Sequence, residues 1–215
     1  MIDNLKHANV IRYLNSEIKR YDIINYLIEK YDLVNYLEIG VFKGENIREV
    51  KAKHKDGVDP SVEHFVAPET NYPITSDEFF DLIKGHDIKY DIIFIDGLHH
   101  SEQVKKDIRN ALNHIVDGGF ILLHDCNPTS YEAQQVPRRT IAWNGDVWKA
   151  FVSFKQLYPN MKSCVVDTDF GVGVIQVDNN MQPELENVDF EYTYFNEHRK
   201  ELLNLITFDE FKANY

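Results

Sequence analysis

Two spacings of apolar residues alternate along the chain. Val10, Ile11, Leu14 and Ile18 recur every three or four positions, as do Ile23, Ile24, Leu27, Ile28 and Tyr31, which predicts two N-terminal helices. The apolar run in VNYLEIG (34–40) is short and continuous and reads as a strand, leading through VFKGENIREV into a helix. KDGVDP (55–60) reads as a second strand stopped by its proline. Residues 61–71 carry no clear period, and YPIT (72–75) is expected as a minimal third strand. SDEFFDLIKG opens on Ser76 as N-cap and stops at Gly85, which predicts a helix.

The second half repeats the alternation. YDIIFIDG is the fourth expected strand, followed by a helix from about Ser101 with Val104, Ile108, Ala111, Leu112 and Ile115 on one stripe. The turn Asp117–Gly119 leads into the strand FILLHD. A loop from Cys126 to Gly145 carries Pro128 and Pro137. Asp146 then caps an amphipathic helix with Val147, Ala150, Phe151, Phe154 and Leu157 on one face. SCVVDTDFGVGVIQV reads as two strands around Gly171, and a last helix is expected over about Phe195–Ile206. Unbroken apolar strands alternating with helices mean a mostly parallel sheet covered on both faces. The fold class is therefore α/β, a Rossmann-like doubly wound sheet with an antiparallel C-terminal strand and extra N-terminal helices. One domain is expected over 1–215: helices in 1–33, a core in 34–177 and an extension in 178–215.

In such sheets ligands bind beyond the carboxyl ends of the strands, near the switch in strand order. The first strand ends in Glu38, Gly40 and Gly44, where glycine allows close approach of backbone to a ligand. The Walker pattern and GxGxxG are both absent. The second strand ends in Asp59, about twenty residues after Gly40, the usual place for an acid that grips a ribose. A turn aspartate before proline is also common, but the two strand ends together point to a nucleoside-bearing cofactor. The fourth strand ends at Asp96 and the fifth at His124 and Asp125, with His99 on the intervening loop. Neighbouring strands lie about 4.8 Å apart, so these residues are expected on one rim. Two carboxylates and an imidazole can hold Mg²⁺ or another divalent metal.

Composition narrows the partners. A net charge of −12 argues against nucleic acid and against an anionic membrane surface. There is no apolar run of membrane-spanning length and no signal-peptide core, and Cys126 and Cys164 lack metal-type spacing. The expected setting is cytoplasmic, with reduced thiols.

YLEIGVFKGENI, GVDP, FIDGLHHSEQVKKDI and GGFILLHDCNP together resemble the motifs of class I S-adenosylmethionine-dependent methyltransferases. The closer likeness is to the small-molecule O-methyltransferase branch, with its catechol-type and metal-dependent macrolide-sugar enzymes. The resemblance covers about Val34 to Val177. It implies that Glu38, Gly40 and Gly44 contact the methionine part of the cofactor and that Asp59 takes the ribose hydroxyls. It places Ser76 and Asp77 on the adenine side, Asp96 beside cofactor and metal, Asp125 as a second carboxylate ligand, and His99 as general base. Asn46 stands where the family has serine, and His124 and Cys126 stand where metal-dependent relatives often have an acid or amide. NPTSY (127–131) is similar to an amino-group methyltransferase motif but follows the wrong strand, so it is set aside.

The implied partner is a small-molecule substrate, a sugar or glycan precursor, and a homo-oligomer is compatible with the sequence. The implied chemistry is methyl transfer to a hydroxyl, with His99 taking the proton and a metal lowering the hydroxyl pKa. The stretch 131–154, with Trp143 and Trp148, suits a substrate lid, with a place in the core as the alternative for Trp148. Two alternatives stand beside it: a metal-dependent hydrolase using the Asp/His rim, and a non-catalytic cofactor-binding sensor or assembly protein.

Overall fold

Seven strands form one sheet in the order β2-β1-β3-β4-β6-β5-β7. They are β1 (Asn35–Ile39), β2 (His54–Val58), β3 (Tyr90–Ile95), β4 (Ile115–Leu123), β5 (Ser163–Val166), β6 (Val172–Gln176) and β7 (Leu205–Ile206). The first four pair in parallel, β6 runs antiparallel to both its neighbours, and β7 pairs in parallel with β5. The computed structural model describes residues 8, 10–60, 66–178 and 190–215. Parts of the expected N-terminal helices, of the unassigned segment 61–71 and of the C-terminal extension lie outside them.

Both faces of the sheet are covered because its central strands carry apolar residues on both sides. Leu37, Ile39, Ile93 and Ile95 point to one face, where they meet α3 (Ser76–Ile83), α4 (Ser101–His114), α5 (Val147–Leu157) and α6 (Tyr192–Leu203). Tyr36, Ile92 and Phe94 point to the other, against α1 (Arg20–Tyr31), α2 (Glu45–Glu49) and α7 (Phe208–Asn214). Period-2 alternation in a strand with two buried faces gives the unbroken runs seen in the sequence. No helix among the described residues is long and apolar enough to cross a membrane.

Several elements differ from expectation. YPIT contributes only Tyr72, which bridges Val58; Pro73 has no N–H to extend the ladder. Strand β4 starts at Ile115 and runs through Asp117–Gly119 with a register shift. The first apolar stripe is not buried: the helical stretch 10–14 leaves Ile11 and Leu14 exposed while Tyr13 faces in. Leu157 is also exposed, at the end of the α5 stripe. The last helix starts earlier, at Tyr192, and stops at Asn204 in the left-handed conformation. Strand β7 and helix α7 then follow. The cap of α3 is Thr75, not Ser76: Thr75 Oγ1 accepts from Glu78 N at 3.2 Å, and Glu78 Oε2 accepts from Thr75 N at 2.9 Å. Asp146 occupies the N-cap position of α5, but its carboxylate serves α4, accepting from Ser101 N at 2.7 Å and Ser101 Oγ at 3.0 Å. Trp148 takes the core alternative: it is fully buried and stacks on Phe195 at 4.1 Å.

Candidate functional site

Strand order reverses between β1 and β3, and the carboxyl ends of β1 to β4 open into one cavity of about 770 Å³. Gly40 has φ +94°, and a Cβ there would lie 2.1 Å from the Asp96 carbonyl oxygen, so only glycine lets the two strand ends close up. Phe42 follows at φ +47°, and its N–H donates to Asp59 Oδ2 at 2.9 Å, which ties the β1 loop to the end of β2. Gly44 has φ +76° and starts α2. It is not among the residues that line the cavity.

Glu38, Gly40, Asp59, Ser76, Asp77, Asp96, His99, His124 and Asp125 all line this cavity. Glu38 is buried and accepts hydrogen bonds from Tyr36 Oη at 2.5 Å and Asn46 Nδ2 at 2.8 Å. Burial pushes its carboxyl up to about 7, against the pull of those two donors. Asn46 Oδ1 is buried without a partner in the same wall. At the other end, Gln103 Nε2 donates to Asp77 Oδ1 at 3.0 Å and to Ser76 Oγ at 3.3 Å. Because Thr75 caps α3, Ser76 is released to the cavity.

At the rim, carboxylates and imidazoles alternate. His124 Nδ1 lies 3.1 Å from Asp96 Oδ1 and 3.4 Å from Asp125 Oδ2. His99 bridges the same two acids, with Nε2 3.4 Å from Asp96 Oδ1 and Nδ1 3.1 Å from Asp125 Oδ2. Asp125 adopts φ +60°, an uncommon conformation for a non-glycine residue, and accepts from Asn144 Nδ2 at 2.5 Å. The Trp143 ring lies nearly parallel to His99, with centroids 5.3 Å apart. Burial opposes charge on both imidazoles, but the acids outweigh it, and both pKa values rise above the ordinary histidine value. Burial likewise opposes ionisation of Asp96, yet His124, His99 and Arg20 hold its carboxyl well below the usual range.

Two participants escaped the sequence reading. Arg20, at the start of α1, places Nη1 3.4 Å from His124 Nε2 and 3.2 Å from Asp169 Oδ2, with Nε 3.8 Å from Asp96 Oδ2. Asp169 anchors it from the β5–β6 turn, at φ +45°. Asp169 carried a signal, an acid just after an apolar strand. Arg20 carried none, because nothing in an N-terminal helical stripe says that its first residue reaches the sheet's far rim.

Asp96, His124 and Asp125 bring one donor atom each within 4.8 Å of one another, which suits a divalent ion. Arg20 is the permanent cation facing Asp96, Asp125 and Asp169, and a bound divalent ion would take the place of the protons that these acids favour on His99 and His124. The donor set therefore fits a metal. The cavity also fits a nucleoside-bearing cofactor: a lone buried acceptor, Asn46 Oδ1, lies beside Glu38 at one end, and Ser76, Asp77 and Gln103 lie at the other.

Residues 37–126 match the sequence model of a family described as a methyltransferase domain. The matched stretch holds most of β1, all of β2 to β4, and the turns that carry every site residue expected from the sequence. An O-methyltransferase from Bacillus cereus, solved in complex with SAH, superposes with a TM-score of 0.52 at 13% identity, covering 82% of this chain and 90% of that one. A methyltransferase of the mycinamycin biosynthetic pathway, solved with Mg and SAH, gives a TM-score of 0.52 at 18% identity, covering 85% of this chain and 57% of that one. At these identities the likeness is one of fold. No curated protein matches the chain by sequence.

Proposed function

We propose that the protein is an S-adenosylmethionine-dependent O-methyltransferase acting on a sugar or another small hydroxylated substrate. The observation that carries this reading is the shared cavity: the base His99 and the acids Asp96 and Asp125 open into the same space as Glu38 and Asp59. A hydrolase would leave Glu38, Asn46 and Asp59 without a ligand to meet. A non-catalytic binding protein would have no use for His99 in an acid–imidazole ring at the mouth.

S-adenosylmethionine, when bound, supplies a methyl group already activated on a sulfonium. Glu38 and Asn46 Oδ1 take its ammonium, Gly40 gives room at the β1 turn, Asp59 takes the ribose hydroxyls, and Ser76, Asp77 and Gln103 face the adenine. Asp96 lines the wall between cofactor and acceptor. The chain's main task is alignment of nucleophile, carbon and sulfur. The His99 imidazole takes the acceptor's hydroxyl proton, and Asp125 and Asp96 stabilise the imidazolium as it forms. Trp143 stacks on one face of the His99 ring. Asp96, His124 and Asp125 would hold a divalent ion, whose chemistry would be to lower the pKa of the acceptor hydroxyl. We read the core 34–177 as one domain with its flanking helices, and the compartment as cytoplasmic, in keeping with the two free, buried cysteines.

Calorimetry with S-adenosylhomocysteine tests the reading. Binding at one site, weakened by Asp59→Ala, is expected; absence of heat at millimolar ligand would sink it.

A further inference from the structure

A second cavity, of about 200 Å³, lies where the N-terminal segment meets α6. Its wall includes Arg12, Tyr13, Asn127, Asp167, Asn196 and Arg199, and it shares no lining residue with the large cavity. Arg12 forks onto Asp167 with two bonds, at 3.0 and 2.9 Å. Asp167 Oδ1 also accepts from Tyr13 Oη at 2.6 Å and from Asn127 Nδ2 at 3.1 Å. That carboxylate is therefore fully used by its own cation and two neutral donors.

Arg199 is in the opposite condition. Its Nη1 donates to Asn127 Oδ1 and to the Pro128 carbonyl at 2.8 Å, and its Nη2 to Asn196 Oδ1 at 2.9 Å and Tyr192 Oη at 3.2 Å. The guanidinium also lies over the Phe195 ring, 4.7 Å from its centroid. Every one of these acceptors is neutral, and among the described residues no carboxylate pairs with it. The group is half-buried, in a chain of net charge −12 with acids in excess. These four bonds engage the Nη hydrogens and leave Nε–H, so a partly desolvated cation whose charge no acid answers stands at the wall of the cavity, which favours an anion there.

We propose that this cavity is a binding site for a small oxyanion, a phosphate or carboxylate group, held by Arg199 with Arg12 at its edge. The site is separate from the methyl-transfer cavity. The two are joined through the turn 167–169: Asp167 serves one cavity, and Asp169 holds Arg20 in the other. The proposal takes nothing from the methyltransferase reading.

The test is calorimetry of the full chain with inorganic phosphate and with phenyl phosphate, against chloride at equal ionic strength. Saturable phosphate binding is expected, weakened about tenfold or more in Arg199→Gln, as for loss of a charge-assisted bond. Asn196→Asp serves as the second variant, because it removes no contact and places an internal carboxylate beside Arg199; it should abolish phosphate binding. Phenyl phosphate binding more tightly than inorganic phosphate identifies the ligand as the anionic group of a larger molecule; the reverse identifies a free ion. No saturable heat with either ligand, or binding that survives both variants, overturns the proposal. Binding of S-adenosylhomocysteine should be unchanged in both variants, and its failure in the wild type would strike the methyltransferase reading alone.

Discussion

His99 lies between two acids, with Nδ1 3.1 Å from Asp125 Oδ2 and Nε2 3.4 Å from Asp96 Oδ1, and Trp143 stacks on its ring. His99→Ala should lower kcat by about 10²- to 10⁴-fold, the usual contribution of a general base. S-adenosylhomocysteine affinity should stay within about threefold, because none of the proposed cofactor contacts is lost. A variant that keeps full turnover would remove His99 from the chemistry. Glu38 gives a prediction with a pH sign. Its carboxyl is pushed up to about 7 by burial, so it is largely protonated in mildly acid solution. Only the carboxylate attracts the ligand's ammonium. Affinity for S-adenosylhomocysteine should therefore fall as pH drops through about 7, approaching tenfold per pH unit, and level off above it. Titrations between about pH 6 and pH 8 should show this slope in the wild type and none in Glu38→Gln. At this scale the sequence was legible wherever a residue sat just past an apolar run, as Asp59, Asp96 and Asp125 do. Arg20 was illegible because its role depends on where α1 docks, which no local pattern encodes.

Among the elements, α5 carries the largest packing load on its face of the sheet. Trp148 is fully buried, stacks on Phe195 of α6 and donates from Nε1 to Gln134 Oε1 at 3.3 Å. Trp148→Ala should destabilise the fold by about 3–5 kcal/mol, read as a lower urea midpoint with little change in slope. An unchanged midpoint would mean that this helix does not hold α6 in place. The existence of α1, α3, α4 and α5 followed from spacing, because each must bury one stripe against the sheet. Their caps were harder to read, since a cap is a contest between neighbouring hydroxyls and acids. Thr75 wins over Ser76 because only Thr75 stands three residues before Glu78, and Asp146 turns to α4 because the loop brings it beside Ser101. Helix α7 was missed although Thr207 and Glu210 form the same reciprocal cap, with Glu210 N donating to Thr207 Oγ1 at 3.2 Å. The signal was present, and shortness hid it.

At the scale of the whole molecule, parallel strands with both faces buried made the doubly wound sheet readable, and strand order then decided which loops could meet. What remained hidden was a long-range tie: Arg20 reaches Asp169 and Asp96 from far away in sequence and sets the charge of the rim. Three carboxylates face one permanent cation there. A divalent ion bound there would take the place of protons on His99 and His124, and Asp125→Asn removes one of the carboxylates that favour it. Manganese is the convenient probe, being visible by paramagnetic resonance without turnover. The wild type should bind it, and Asp125→Asn should bind it at least about tenfold more weakly, since one carboxylate ligand and one full charge are lost together. Arg20→Met should change the affinity in the opposite direction, because it removes a like charge close to the ion's neighbours without touching a donor. Equal manganese binding in all three proteins would place the ion elsewhere on this acidic surface. The rim would then act through its imidazoles and Arg20 alone, with the cofactor cavity and its His99 unchanged.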